Sequence, residues 1–190
     1  LLHNAPFSVL DQTQTLARLA YQNAGELYPF PFRMEILYAL TAEGLISQYR
    51  LKNLSARAMP YCFGLHTTFC EPEEFSVPLG LCQQRDMRTA LPTGQFTALS
   101  GEEKLYCTGA ASCGHVVSGY YTAAGDTARI GVYRYTVCGF DHWVLYNARG
   151  SAGVLCVEPQ KGCVNALNLP NPPVVQPGET VVFETRITRY

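Results

Sequence analysis

Hydrophobic and polar positions alternate with a period of two along most of this chain, and nowhere is a helical period sustained. Residues 13–20 and 33–41 read as strands. In the second, Met34, Ile36, Tyr38 and Leu40 form a large apolar face, opposed by the mixed set Arg33, Glu35, Leu37 and Ala39. Residues 16–22 also admit a helical turn. Ala42-Glu43-Gly44 predicts a turn, and residues 45–54 the returning strand of a hairpin. Tyr28-Pro29-Phe30-Pro31-Phe32 carries two prolines, which forbid regular ladder pairing, so its rings are expected to plug one end of a sheet. Residues 61–70 are apolar and aromatic around His66. From about 71 to 101 the pattern breaks up around Pro72, Pro78 and Pro92, predicting a long irregular excursion. Alternation returns over 128–138, with Tyr133 and Tyr135 on one face, and over 143–146. The apolar run 153–157 closes on Glu158, with Pro159 and a polar loop expected beyond it. In the last strand Val181, Phe183, Thr185 and Ile187 oppose Val182, Glu184, Arg186 and Thr188. The predicted class is all-β, a sandwich or barrel forming one domain over residues 1–190.

Composition narrows what such a domain does. Over 190 residues, 47% hydrophobic and 15% charged describe a well-buried core rather than a disordered chain. A net charge of −1 supplies no basic stripe, so nucleic acid is not an expected partner. No run of eighteen apolar residues is present, so no membrane span is expected. Leu1-Leu2-His3-Asn4 does not open a secretory signal. The eight cysteines include no Cys-x-x-Cys pair. A metal site is therefore not expected, and reduced thiols in a cytoplasmic protein are.

Candidate chemistry centres on two residues. Glu158 ends a buried strand, which is how an all-β protein would deliver a general base. The alternative is a surface glutamate closing a strand. His66, in Gly64-Leu65-His66-Thr67-Thr68-Phe69, is either a core histidine satisfied by backbone or a functional one. Period-two geometry aims Cys62 and Cys70 to His66's face, but neither has the electropositive setting of a nucleophile. A carboxylate pair would need a partner for Glu158, and Glu71, Glu73, Glu74 and Asp86 offer none that stands out. An acid–base pair of Glu158 and one histidine remains.

Several ordered motifs resemble the aldose 1-epimerases, or galactose mutarotase-like proteins. They are Tyr28-Pro29-Phe30-Pro31-Phe32, then Asn53-Leu54-Ser55 with Met59-Pro60, and Gly64-Leu65-His66. Further on come Phe140-Asp141-His142-Trp143, Cys156-Val157-Glu158-Pro159-Gln160, Asn165-Ala166-Leu167-Asn168 and Pro177-Gly178-Glu179. The resemblance covers about the C-terminal two-thirds of a usual member and so implies an N-terminally truncated antiparallel β-supersandwich. It implies interconversion of the α and β anomers of a free aldohexose. His66 would be the acid at the ring oxygen, and Glu158 the base at the anomeric hydroxyl. His142, Trp143 and Gln160 would line the sugar site. No metal or organic cofactor is implied. The implied partner is a monosaccharide, bound by a monomer or homodimer. The alternative is a non-catalytic carbohydrate-binding protein of the same fold. The family's second histidine and its binding arginine and aspartate find no assigned match; His3, Asp86 and Asp126 are the nearest candidates.

Overall fold

The computed structural model describes residues 2–26, 28–150 and 153–190, apart from the side chains of His3 and Arg149. In chain order the strands are β1 (Ser8–Gln12), β2 (Leu16–Asn23), β3 (Phe32–Leu40), β4 (Gly44–Asn53), β5 (Met59–Pro60), β6 (Phe63–Gly64), β7 (Thr68–Cys70), β8 (Phe75–Ser76), β9 (Leu79–Arg85), β10 (Pro92–Thr97), β11 (Ser118–Ala123), β12 (Thr127–Ile130), β13 (Tyr133–Cys138), β14 (His142–Tyr146), β15 (Val154–Lys161), β16 (Val174–Val175) and β17 (Thr180–Arg189). An α-helix, α1 (Gly101–Thr108), lies between β10 and β11.

One large sheet runs β1-β2-β3-β4-β17-β13-β12-β8. The other runs β10-β9-β11-β14-β15-β6, with β7 also paired to β15. Their strands pair antiparallel. This is the expected all-β sandwich, and the alternation read from the sequence explains its faces. The predicted hairpin is β3 and β4, in register from Phe32–Asn53 to Leu40–Leu45. On β17, Phe183 and Thr185 are buried between the layers while Val182 and Arg186 face out. Gly44 sits at φ +145, and a Cβ there would collide with the Ile187 carbonyl, so the turn leaves room for no side chain.

The core lies between the two sheets. Tyr121, Trp143, Leu145, Leu155 and Val157 project from the inner face of the second sheet. They meet Phe75, Ala128, Ile130, Tyr135 and Val137 of the first. A second cluster, with Tyr21, Phe32, Met34, Tyr49, Leu51 and Phe183, fills the other end under Met59, Tyr61 and Val175. Tyr28 and Phe30 pack on that cluster, as the aromatic-plug reading anticipates. Their segment is held by Asn23, whose side-chain amide donates to the Tyr28 and Phe30 carbonyls at 2.7 and 2.9 Å.

The structure departs from the pattern reading in four places. The first strand region extends to Asn23 and is preceded by β1. The stretch 71–101 is not one irregular excursion: it contains β8, β9 and β10. Helix α1 breaks the all-strand reading. It starts at a capping box in which the Ser100 hydroxyl accepts from Glu103 N–H at 3.2 Å and Glu103 Oε2 accepts from Ser100 N–H at 2.8 Å. Ser-x-x-Glu is a helix-start signal legible in the sequence. Finally, 128–138 is a hairpin, turning at Gly131 between β12 and β13.

Trp143 is fully buried, with its indole N–H donating to the Gly125 carbonyl at 3.3 Å and its ring edge-on to Tyr135. Trp143→Ala is expected to cost about 3–5 kcal/mol in urea unfolding. Iodide should fail to quench the fluorescence of this single tryptophan until the protein unfolds.

Candidate active site

Strand register brings the two leading residues together. β6 and β7 pair with β15 through Gly64–Gln160, Leu155–Phe69 and Cys156–Thr68, all in one continuous register. That register sets His66 directly opposite Glu158, although residues 65–67 are not themselves a strand. Opposed residues of an antiparallel pair put their side chains on the same face, with Cβ atoms about 4.5–5.5 Å apart. His66 Nε2 lies 3.4 Å from Glu158 Oε1.

Pro159 explains how β15 continues past the glutamate. The strand does not end at Glu158; it runs to Lys161, which corrects the expected loop. A residue's N–H and C=O point to the same side of a strand. The Pro159 carbonyl accepts from Leu65 N–H at 3.1 Å, so the N–H that proline lacks would also have faced Leu65. The lost bond thus falls on the side where the partner leaves the regular ladder. Thr67 anchors that departure from beneath: its N-terminal neighbour His66 points out while its own hydroxyl meets the Tyr135 hydroxyl at 2.8 Å.

The outer face of the second sheet can be read across the same rows. Val144 opposes Glu158, and Tyr120 opposes Val144. One step along, His142 opposes Gln160 and Thr122. His66, Ser118, Tyr120, Val144, Tyr146, Glu158, Gln160 and Val164 are among the residues around an open cavity of about 350 Å³. That lies in the range of small-molecule sites. A separate apolar cavity of about 110 Å³, around Met34, Met59 and Tyr61, is too small for a monosaccharide. Gly64 leaves room for the Gln160 side chain: a Cβ there would come within 3.0 Å of Gln160 Cδ.

Trp143 does not reach this cavity, which corrects its assignment to the sugar site. The residues at 142 and 143 must face opposite ways, and the register turns Trp143 into the core. His142 is on the outer face, with its Nδ1 2.6 Å from Asp141 Oδ1. Asp141 also accepts from Lys161 Nζ at 2.7 Å and from Gly162 N–H at 2.9 Å. Burial opposes its charge, but the bonds from His142, Lys161 and Gly162 hold its carboxyl well below the usual carboxylate range. The carboxylates weighed as partners for Glu158 do not join it. Glu74 pairs with Arg129, and Asp86 caps the turn at Arg88 and Thr89.

Pattern reading missed three neighbours. Arg85 reaches the rim, donating to Ser118 at 3.0 and 3.2 Å over the Tyr120 ring. Tyr120 lies on β11, a strand that the alternation pattern does not predict. Cys156, rather than Cys62 or Cys70, is the thiol beside His66; its position two residues before Glu158 on one strand was the available signal. Beyond β15, Asn165 at φ 65 and Asn168, which donates to it at 2.6 Å, shape the loop carrying Val164. The His3 side chain lies outside the described residues.

Charge and burial differ across the pair. The Glu158 side chain is 10% exposed and the His66 ring 69%. Burial raises the Glu158 carboxyl above its ordinary value, against the pull of His66 and a hydrogen bond from Gln160. A carboxylate held this way is a stronger base than an exposed one.

Two large antiparallel sheets, one bearing a His–Glu pair in an open outer cleft, define the class by fold: an antiparallel β-supersandwich. A family model described as aldose 1-epimerase matches residues 1–112, and the chain belongs to the aldose 1-epimerase family. The matched stretch includes His66 and stops short of Glu158. Three solved structures carry the fold further. A galactose mutarotase-like protein from Clostridium acetobutylicum superposes with a TM-score of 0.84 at 21% identity, over 97% of this chain and 66% of that one. A candidate aldose 1-epimerase from Escherichia coli K12 gives 0.80 at 17%, over 97% and 69%. The Slr1438 protein of Synechocystis sp. PCC 6803 gives 0.75 at 20%, over 97% and 66%. The chain therefore spans about two thirds of the length of these proteins. No helix among the described residues is long and apolar enough to cross a membrane.

The raised Glu158 carboxyl has a stability consequence. The folded state binds this proton more tightly than the unfolded state, so the cost of the ionised form is complete above the folded pKa and vanishes below the unfolded one. The exposed contact with His66 returns no more than about 1 kcal/mol. Glu158→Gln should leave the melting temperature at pH 7 unchanged or raise it, with the difference shrinking as pH falls. A clear drop at pH 7 would contradict the burial argument.

Proposed function

We propose that this chain, as one mutarotase-like domain, is an aldose 1-epimerase that interconverts the α and β anomers of a free aldohexose. The observation that carries the reading is the placement of His66 opposite Glu158, 3.4 Å apart, at the floor of the outer cavity. The anomeric hydroxyl oxygen and the ring oxygen of an aldose are bonded to the same carbon. An acid and a base that touch each other can therefore meet both.

The ionised Glu158 takes the proton of the anomeric hydroxyl while protonated His66 gives its proton to the ring oxygen. The C1–ring oxygen bond breaks, and an open aldehyde results. Rotation about C1–C2 turns the carbonyl's other face to the departed hydroxyl. On closure the protons return, from Glu158 to the former carbonyl oxygen and from the C5 hydroxyl to His66. Both groups end as they began, so the cycle needs no external reagent. The burial that raises the Glu158 carboxyl favours it as a base near neutral pH. Gln160 hydrogen-bonds to that carboxylate, and Tyr120 and Tyr146 offer ring faces and hydroxyls to the sugar. His142 is held beside this site by Asp141. The absence of an Arg/Lys cluster in the motifs favours a neutral sugar; Arg85, already bonded to Ser118, is the cation at the rim.

Fresh α-D-glucose or α-D-galactose should lose optical rotation faster with the protein than without it. Glu158→Gln and His66→Asn should each slow the catalysed rate by about 10²–10⁴-fold while calorimetry still detects sugar. The acid limb of kcat/KM should fall at a pH above the ordinary glutamate value of 4.5, because protonation of Glu158 removes the base. Sugar binding without any acceleration would instead identify a non-catalytic carbohydrate-binding protein, and no binding to either sugar would sink both readings.

A further inference from the structure

We infer that His66, Cys156 and Glu158 form a binding site for a thiophilic divalent cation such as Zn²⁺. One ligand atom from each of the three lies within 4.8 Å of the others. Their arrangement follows from the sheet. Cys156 and Glu158 are two residues apart on β15 and share its outer face, and His66 stands across from Glu158.

The donor set is an imidazole nitrogen, a thiol sulfur and a carboxylate oxygen. Zinc binds all three types at about 2.0–2.3 Å and uses three protein ligands when a fourth position is left open. Donors around such a tetrahedron stand about 3.3–3.7 Å apart by geometry. His66 Nε2 and Glu158 Oε1 already do, at 3.4 Å. The remaining gap is left to side-chain rotation, the three ligand atoms already lying within 4.8 Å of one another. The surroundings support the ligands as well. Thr68 Oγ1 lies 3.4 Å from both His66 Nδ1 and Cys156 Sγ, where it can orient the ring and the sulfur together. On binding, the Cys156 S–H loses its proton to solvent and the thiolate bonds the metal, with no change of oxidation state. One thiolate and one carboxylate neutralise the two positive charges, so the buried side of the site carries no net charge.

The fourth position opens toward the outer cavity. A cation there occupies both groups assigned to proton transfer, so metal and sugar exclude one another. That consequence rests on the proposed epimerase reading; the metal site itself does not.

The reduced protein is titrated with Zn²⁺ by calorimetry and with Co²⁺ by absorption. One ion per chain is expected, with a sulfur-to-cobalt charge-transfer band in the near ultraviolet. Cys156→Ser should remove the band and weaken binding at least tenfold. His66→Asn, at an exposed side chain that the fold does not need, should also weaken binding. Cys70→Ser, at an exposed thiol on the same face, should change neither. In an active preparation one equivalent of Zn²⁺ should abolish the acceleration of mutarotation, and a chelator should restore it. Absence of binding, or a band that survives both Cys156→Ser and His66→Asn, overturns the site and assigns any metal to the exposed cysteines. An inactive protein that still gives the cobalt result would refute the epimerase reading and leave the metal site standing.

Discussion

The structure turns on one cross-strand pair. β15 is held on one side by β14 and on the other by the broken partner β6 and β7, and the register across that break is continuous. A shift of one residue would send every side chain of β15 to the opposite face. Glu158 would then lie among the apolar side chains between the sheets, and Val157 or Pro159 would occupy its place outside. Burial of Leu155 and Val157 against Tyr135 and Phe69 is what resists the slip. The core thus determines where the His66–Glu158 pair stands, and buried Val144 and Leu145 of β14 are also among the residues around the cleft.

The pair itself balances two opposed demands. A glutamate in the cleft floor is largely withdrawn from water, which penalises its charge. The neighbouring imidazole and the Gln160 amide offset part of that penalty, and the rest remains as raised basicity. Asp141 shows the other outcome. It is also partly buried, yet three donors converge on it and keep it ionised. Two carboxyl groups on adjoining segments of one sheet therefore have opposite characters: one is held as a fixed anchor for His142 and Lys161, the other is left able to exchange a proton.

Irregular backbone is concentrated where it leaves the paired groups accessible. Residues 65–67 are not a regular strand but stay bonded to β15, Leu65 N–H donating to the Pro159 carbonyl and Val157 N–H to the Thr67 carbonyl, while the N–H that Pro159 lacks removes one rung. The His66 ring is exposed on the outer face, while the Thr67 hydroxyl meets that of Tyr135 on the inner side. From the end of β9, Arg85 reaches the edge of the cleft, fixed against Ser118 and Tyr120. In α1, Tyr106 is buried against Phe75 and ties the helix to the core.

Much of this was legible in the chain. The all-β class, the β3–β4 hairpin and the inward face of β17 follow from period-two alternation, which survives in any packing that buries one face. Locally, His66 and Glu158 stood out only as a histidine in an apolar run and a glutamate at the end of another, each open to a structural reading; the resemblance of the motifs around them is what paired them. The capping box of α1 was also present, as Ser100 and Glu103, but a helix of eight residues has too little periodicity to stand out between strands. Local pattern could not decide whether His142 or Trp143 lies on the outer face, whether Pro159 ends a strand or sits within one, or which thiol neighbours His66. Those are questions of pairing between segments far apart in sequence. Alternation says that adjacent residues face opposite ways; only the partner strands, and the apolar surface they bury together, decide which way is in.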